Sequence, residues 1–180
     1  MLISLGTHMG CDVSVRADVL TEMRAAASSS FPNETGGLLM GFDRAGGIEV
    51  ALVIGAGPAA PECPDSFTPD RDWQYTEIDR LFEQTQGTIR YLGDWHTHPL
   101  RGTDLSALDR SLLREISTTP AAQCNEPLMA VLAGGGERPW IDAFFRYSRR
   151  AYVPWQSVQR VHYRVLPDAK SGADAGIGAD

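Results

Sequence analysis

Cysteine is scarce in this chain. Cys11, Cys63 and Cys124 are its three cysteines, far apart and without a CxxC spacing. Such a set builds neither a disulfide framework nor a Cys-based zinc site, so all three read as inert thiols. Long apolar runs are missing too: nothing approaches the roughly 18–20 residues that span a bilayer. The N-terminus, "MLISLGTHMGCD", lacks the basic start and apolar core of a secretory signal. These absences predict a cytoplasmic protein with no membrane partner. Basic charge is also in short supply. Sixteen Lys and Arg face 23 Asp and Glu, a net charge of -7. The one dense basic cluster, "RYSRR" at 146–150, reads as the solvated end of a strand. That balance excludes nucleic acid and anionic membrane surfaces as main partners. No internal repeat is present.

What remains is ordinary for a globular chain: 180 residues, 43% hydrophobic and 22% charged, enough for one domain with a sizeable core. We expect that domain over residues 1–166, and a disordered tail over 167–180, where small and polar residues dominate. "DVSVRADVLTEMRAAASS" reads as a strand running into a helix, with Val19 or Leu20, Met23 and Ala27 on one face. "GLLMGF" and "GIEVALVIGAG" are strands joined by a turn, and Pro58–Asp70 is a Pro-rich loop. A helix follows, with Tyr75, Ile78, Leu81 and Phe82 as its apolar stripe and Gly87 as its stop. "TIRYLGDWHTH" is a strand ended by Pro99. "TDLSALDRSLLREIS" is a helix capped by Thr103 or Asp104, with Leu105, Leu108, Leu112 and Ile116 on its apolar side. "PLMAVLAG" and "PWIDAFFRYS" are strands, and "AYVPWQSVQRVHYRVLP" adds an edge strand. Alternation of strands and helices predicts the α/β class, a single-domain mixed β-sheet flanked by helices.

Chemistry concentrates in "GDWHTHPLRGTDLSALD", Gly93 to Asp109. Side chains alternate across a strand, so Asp94, His96 and His98 share one face while Trp95 and Thr97 turn toward the core. Two histidines at i and i+2 can point at one metal ion. Ser106 and Asp109, three apart on the following helix, share a face, and the short link from Pro99 to Gly102 lets that helix return to the strand end. Two imidazoles and a carboxylate are the three protein ligands of a catalytic zinc site. Ser106 could donate to an oxyanion. A proton shuttle must come from elsewhere, and Glu34, beside glycines in "NETGGLLMG", is the candidate. Asp94 could orient a ligand, although an unrelated hydrogen bond is the simpler reading. His8 and His162 lie outside the pattern and read as surface or structural residues.

The pattern H-x-H, seven residues, S-x-x-D resembles the motif of the JAMM/MPN+ metalloproteases, the JAB domain, and fits here without a deviation in spacing. "ETGGLLMG" resembles that family's upstream glutamate segment, and "YLGDWHTHP" is most similar to its bacterial branch. The likeness covers about residues 15 to 147. It implies the JAB/MPN fold, related in architecture to cytidine deaminases. It implies one zinc ion per chain, bound by His96, His98 and Asp109. Glu34 would take a proton from the attacking water and pass it to the leaving amine, while Ser106 steadied the oxyanion. It implies cleavage after the C-terminal glycine of a ubiquitin-like protein, by deconjugation or precursor processing. The partners would be a ubiquitin-like protein and its conjugates, and the activating and conjugating enzymes of a bacterial system such as an antiphage defence operon. Trimming of a small sulfur-carrier protein is an alternative within the family. Loop 58–70 could line the groove for an extended tail.

Three other classes fit the residues less well. A multi-metal phosphoesterase needs more histidines than His8 and His162 supply. A zinc deaminase needs H-x-E and P-C-x-x-C, which are missing. A non-catalytic scaffold of the same fold would have lost ligands, and here all five positions stand.

Overall fold

The computed structural model describes residues 13–61, 63–148 and 158–168. Its elements run β1 (Val13–Arg16), α1 (Ala17–Ser30), β2 (Gly36–Arg44), β3 (Gly47–Ile54), α2 (Arg71–Gln84), β4 (Arg90–Pro99), α3 (Ala107–Thr118), β5 (Leu128–Gly135), β6 (Arg138–Tyr147), β7 (Val158–Val161) and β8 (Tyr163–Leu166). The strands form one mixed sheet in the order β7-β6-β5-β4-β2-β3-β1-β8. The expected α/β class, a mixed sheet flanked by helices, is what the chain adopts.

The C-terminal segment departs from expectation. It forms two strands on opposite edges of the sheet, separated only by His162. β7 pairs with β6 and β8 with β1, so one residue carries the chain from one edge to the other. The two edges therefore meet, and the sheet curls into a nearly closed surface without a long free edge. Tyr163 marks the seam, its ring 4.7 Å from that of Phe144.

The curl has an inside and an outside. Inside, Val19, Leu20, Met23 and Ala27 of α1 pack on Val13, Val15, Leu39, Val50, Leu92, Trp95, Leu128, Leu132 and Phe144. Outside, α2 covers Met40 and Ile54 with Leu81. Beside it, Leu105 and Leu113 cover Met129, Val131, Ala143 and Phe145. β5 is buried along its whole length, since its alternate side chains serve the two cores. A strand covered on both faces reads as an unbroken apolar run.

Two apolar stripes differ from expectation. On α2, Tyr75 and Phe82 are exposed, while Leu81 and the polar Gln74 are buried. Gln74 is satisfied there, donating to the Gly55 carbonyl at 2.7 Å. On the third helix, Leu108 is 77% exposed and Leu113 fully buried, and Leu105 packs from the link before α3 begins. The cap is neither Thr103 nor Asp104. It is Ser106, whose hydroxyl accepts the Asp109 amide while the Asp109 carboxylate accepts the Ser106 amide, a reciprocal capping box. Thr103 and Asp104 precede the helix. Among the described residues no helix is long and apolar enough to cross a membrane. Most of the stretch read as a tail, from residue 169 on, lies outside the described residues, as do His8 and Cys11.

Candidate metal centre

β4 delivers both histidines. It runs between β2 and β5, and its inner face buries Leu92 and Trp95 against α1. A bulge at Leu92 interrupts its pairing with β2; beyond it, strict alternation turns His96 and His98 to the outer face. Pro99 closes the strand. Leu100 then takes a left-handed φ of 58° and its amide donates to the Gly134 carbonyl at 2.7 Å. This turn throws the chain back across the strand end, so that α3 arrives with its N-terminus over the histidines.

The donor atoms converge. His96 Nε2 lies 3.0 Å from His98 Nε2 and 3.3 Å from Asp109 Oδ1; His98 Nε2 is 3.8 Å from Asp109 Oδ2. A tetrahedral site with bonds of about 2.0–2.1 Å has ligand–ligand edges of roughly 3.3–3.4 Å. The three separations bracket that value, so the residues fit a small divalent ion of the zinc type. Their protonation fits too. His98 Nδ1 is 3.0 Å from the Gly102 carbonyl. A carbonyl only accepts, so Nδ1 carries the proton and Nε2 presents its lone pair. Burial lowers the His96 imidazole to about 4, with Asp109 pulling it back up and His98 pushing it further down. His96 is therefore neutral at physiological pH, as a ligand must be. Asp109 is held in place by its own cap: Oδ2 accepts the Ser106 amide at 2.7 Å, leaving Oδ1 toward His96.

Glu34 comes to the same end of the sheet from β2. Gly36 pairs with His96 in the antiparallel β2–β4 ladder, and the Thr97 amide continues it by donating to the Thr35 carbonyl at 2.8 Å. Glu34 is the next residue back along the chain, close enough to His98 and Asp109 to feel their charges. Thr97, fully buried, is the fastener, since its Oγ1 also accepts the Thr35 amide at 2.9 Å. Gly36 permits this approach, since a Cβ there would meet the Trp95 carbonyl at 2.3 Å, and Gly37 permits the close pairing of β3 on the other side, where a Cβ would meet the Ile54 carbonyl at 1.8 Å. Burial raises the Glu34 carboxyl above its ordinary value, against the lowering influence of His98 and Arg101.

Asp94 does not join the cluster. The bulge brings it beside Tyr91, whose hydroxyl donates to it at 2.6 Å, and burial raises its carboxyl to about 6. Cys63 and Cys124 are free thiols. Sequence reasoning missed Gly102, whose carbonyl fixes the His98 tautomer, and Arg101, which lies 3.6 Å from the Glu34 carboxylate. Neither carries a periodic signal; only their position between His98 and Ser106 hinted at them.

Two imidazoles and a carboxylate of this geometry, the cluster His96, His98 and Asp109, make a candidate metal centre of the metallohydrolase kind on a mixed α/β sheet. Comparison with known proteins agrees. Residues 16–147 match the family described as prokaryotic homologs of the JAB domain, and the chain belongs to that family. The probable metalloprotease y4qB of Sinorhizobium fredii is 38% identical over 125 residues, 68% of this chain and 76% of the relative. The CD-NTase/cGAS isopeptidase of Pseudomonas aeruginosa is 44% identical over 50 residues, 28% of this chain and 30% of its own. The solution structure of a Desulfitobacterium hafniense protein superposes with a TM-score of 0.65 over 89% of this chain and 97% of that one. At 18% identity it speaks for the fold alone.

Proposed function

We propose that this metalloprotease is a zinc-dependent isopeptidase or peptidase that hydrolyses the bond after the C-terminal glycine of a ubiquitin-like protein. The observation that carries the reading is the convergence of His96, His98 and Asp109 within 4.8 Å of one another, at the strand end to which Glu34 also comes. The substrate class is supported by the isopeptidase of Pseudomonas aeruginosa, similar over a short stretch. Its partners are then a ubiquitin-like protein, its conjugates, and the activating and conjugating enzymes of the same system, such as an antiphage defence system.

The roles follow from the chemistry of each group. His96 Nε2, His98 Nε2 and an Asp109 oxygen would hold one zinc ion. When bound there, the ion would supply Lewis acidity, polarising the scissile carbonyl and acidifying water near neutral pH. Glu34 accepts the proton from the attacking water and returns it to the amine nitrogen as the C–N bond breaks; a carboxyl raised by burial is suited to both transfers. The Ser106 oxygen accepts the Asp109 amide at 3.1 Å, so its own proton remains to be donated to the oxyanion. Gly102 keeps the His98 lone pair aimed.

The test is hydrolysis of a ubiquitin-like protein extended by a short peptide, or joined to a lysine side chain, read by intact mass. Wild type with zinc should release the extension; Glu34→Gln and Asp109→Ala should not, while Glu34→Gln still holds zinc. Equal cleavage by wild type and both variants would overturn the assignment. No cleavage of any such fusion by zinc-loaded wild type would overturn the substrate class.

A further inference from the structure

The Glu34 side chain is only 9% exposed, and among the described residues its one ion-pair partner is Arg101, with Nη1 3.6 Å from Oε1. Arg101 belongs to the turn that leaves β4: its amide donates to the His98 carbonyl at 3.2 Å. The same turn therefore sets a metal ligand and a guanidinium. The second terminal nitrogen of Arg101 donates to Asp65 at 2.7 Å, and Asp65 lies in loop 58–70. That loop reaches Glu34 by another route as well, since the Glu34 amide donates to the Cys63 carbonyl at 2.9 Å, a β-bridge outside the named strands. Phe67 of the loop lies over Gly36, its ring edge 2.9 Å from where a Cβ would stand.

We infer that Arg101 is a positioning residue for the Glu34 carboxylate, and that with Asp65 it forms a clasp fastening loop 58–70 to the metal centre. The inference rests on the hydrolase reading for its kinetic consequence, but the clasp itself is a statement about structure. A nearly buried carboxylate needs a charged partner to hold its rotamer, and Arg101 reaches it as an extended fork that meets two carboxylates at once. The two contacts differ in strength. Asp65 is 80% exposed and Arg101 55%, so solvent screens their pair and it contributes the smaller share of the clasp. The contact with Glu34 is the sheltered one, and it sets the aim of the proton shuttle. Misplacing a reacting group by about 1 Å can cost on the order of 100-fold in rate.

The experiment compares wild type with Arg101→Ala, Arg101→Lys and Asp65→Asn, all zinc-loaded, by amide hydrogen exchange and by kinetics on the ubiquitin-like fusion. Arg101→Ala should speed exchange across 58–70 and at the Glu34 amide, and lower kcat at least about 10-fold with little change in KM. Arg101→Lys, which reaches one carboxylate but not both, should recover part of the kcat. Asp65→Asn should speed exchange in the loop while kcat stays within about threefold of wild type. Unchanged exchange in Arg101→Ala would overturn the clasp. A rise in KM with kcat intact would overturn the positioning role and make Arg101 a substrate contact. Should wild type prove inactive on every fusion, the hydrolase reading fails, and exchange alone still decides the clasp.

Discussion

Replacing Ser106 separates two jobs that one side chain performs. Its hydroxyl oxygen accepts the Asp109 amide at 3.1 Å, closing the capping box of α3, and its proton is assigned to the oxyanion. The anchor of the proposed metal ligand is different: Asp109 Oδ2 accepts the backbone amide of residue 106 at 2.7 Å, which any residue but proline supplies. Ser106→Ala should therefore leave zinc content near one per chain. Losing the cap costs about 1 kcal/mol, or roughly 2–4 °C in Tm for a domain of this size. Losing an oxyanion donor costs about 10²–10³ in kcat, some 2.7–4 kcal/mol of barrier. The stability loss cannot mimic the kinetic one, because a domain stable by roughly 5–15 kcal/mol stays folded after losing 1. Ser106→Gly sharpens the comparison. Glycine at an N-cap costs only a few tenths of a kcal/mol, so Tm should nearly recover while kcat stays as low as in Ser106→Ala. Calorimetry, elemental analysis and kinetics on the same samples read all three quantities. A kcat within about threefold of wild type in both variants would reduce Ser106 to a helix cap. A collapse of zinc content in Ser106→Ala would show that the hydroxyl, not the amide, anchors Asp109.

Other outcomes are as definite. Elemental analysis should find about one zinc in wild type and far less in His98→Ala or Asp109→Ala; two or three metals per chain would refute a single three-ligand centre. Gly93→Ala should destabilise by more than about 3 kcal/mol or abolish soluble expression. The reason is that Gly93 has φ 142° and a Cβ would sit 1.9 Å from the Leu128 carbonyl oxygen; a Tm within a few degrees of wild type would refute the register of β4 on β5. Glu49 is buried between Arg16 and Arg44, whose Nε atoms donate to it at 2.7 and 2.6 Å. Burial raises its carboxyl, but the two arginines outweigh burial and hold it below the ordinary value. A depressed carboxyl stabilises the fold above its unfolded pKa, about 4.3, and loses that contribution as pH falls through the lower folded value. Glu49→Gln should lose about 1–3 kcal/mol at pH 7 and show a shallower decline of Tm between about pH 5 and 3; parallel acid limbs in the two proteins would refute it.

The centre was legible because its chemistry is written in local spacing. His-x-His on a strand fixes two donors on one face whatever the rest of the chain does, and Ser-x-x-Asp at a helix start is at once a capping box and a ligand support. The helix start was misread for a related reason: Thr103 and Asp104 are good caps by residue type, and only the packing of Leu105 before α3 shows that the turn begins later. The stripe on α2 failed differently. Trp73, Ile78 and Leu81 alternate with Tyr75 and Phe82 around the same helix, and the choice between them is made by Met40 and Ile54 of the sheet, which the helix pattern does not contain. The split at His162 has no local signature at all, since residues 158–166 read as one strand until two sheet edges compete for them. Arg101 is the sharpest case. It stands inside the motif, between His98 and Ser106, yet its meaning depends on Glu34 and Asp65, which the fold brings from 67 and 36 positions earlier in the chain. Motif spacing specifies what one strand and one helix can hold between them. Whatever aims the proposed proton shuttle must cross between β2, the turn after β4 and loop 58–70, and contacts of that kind exist only once the sheet has closed.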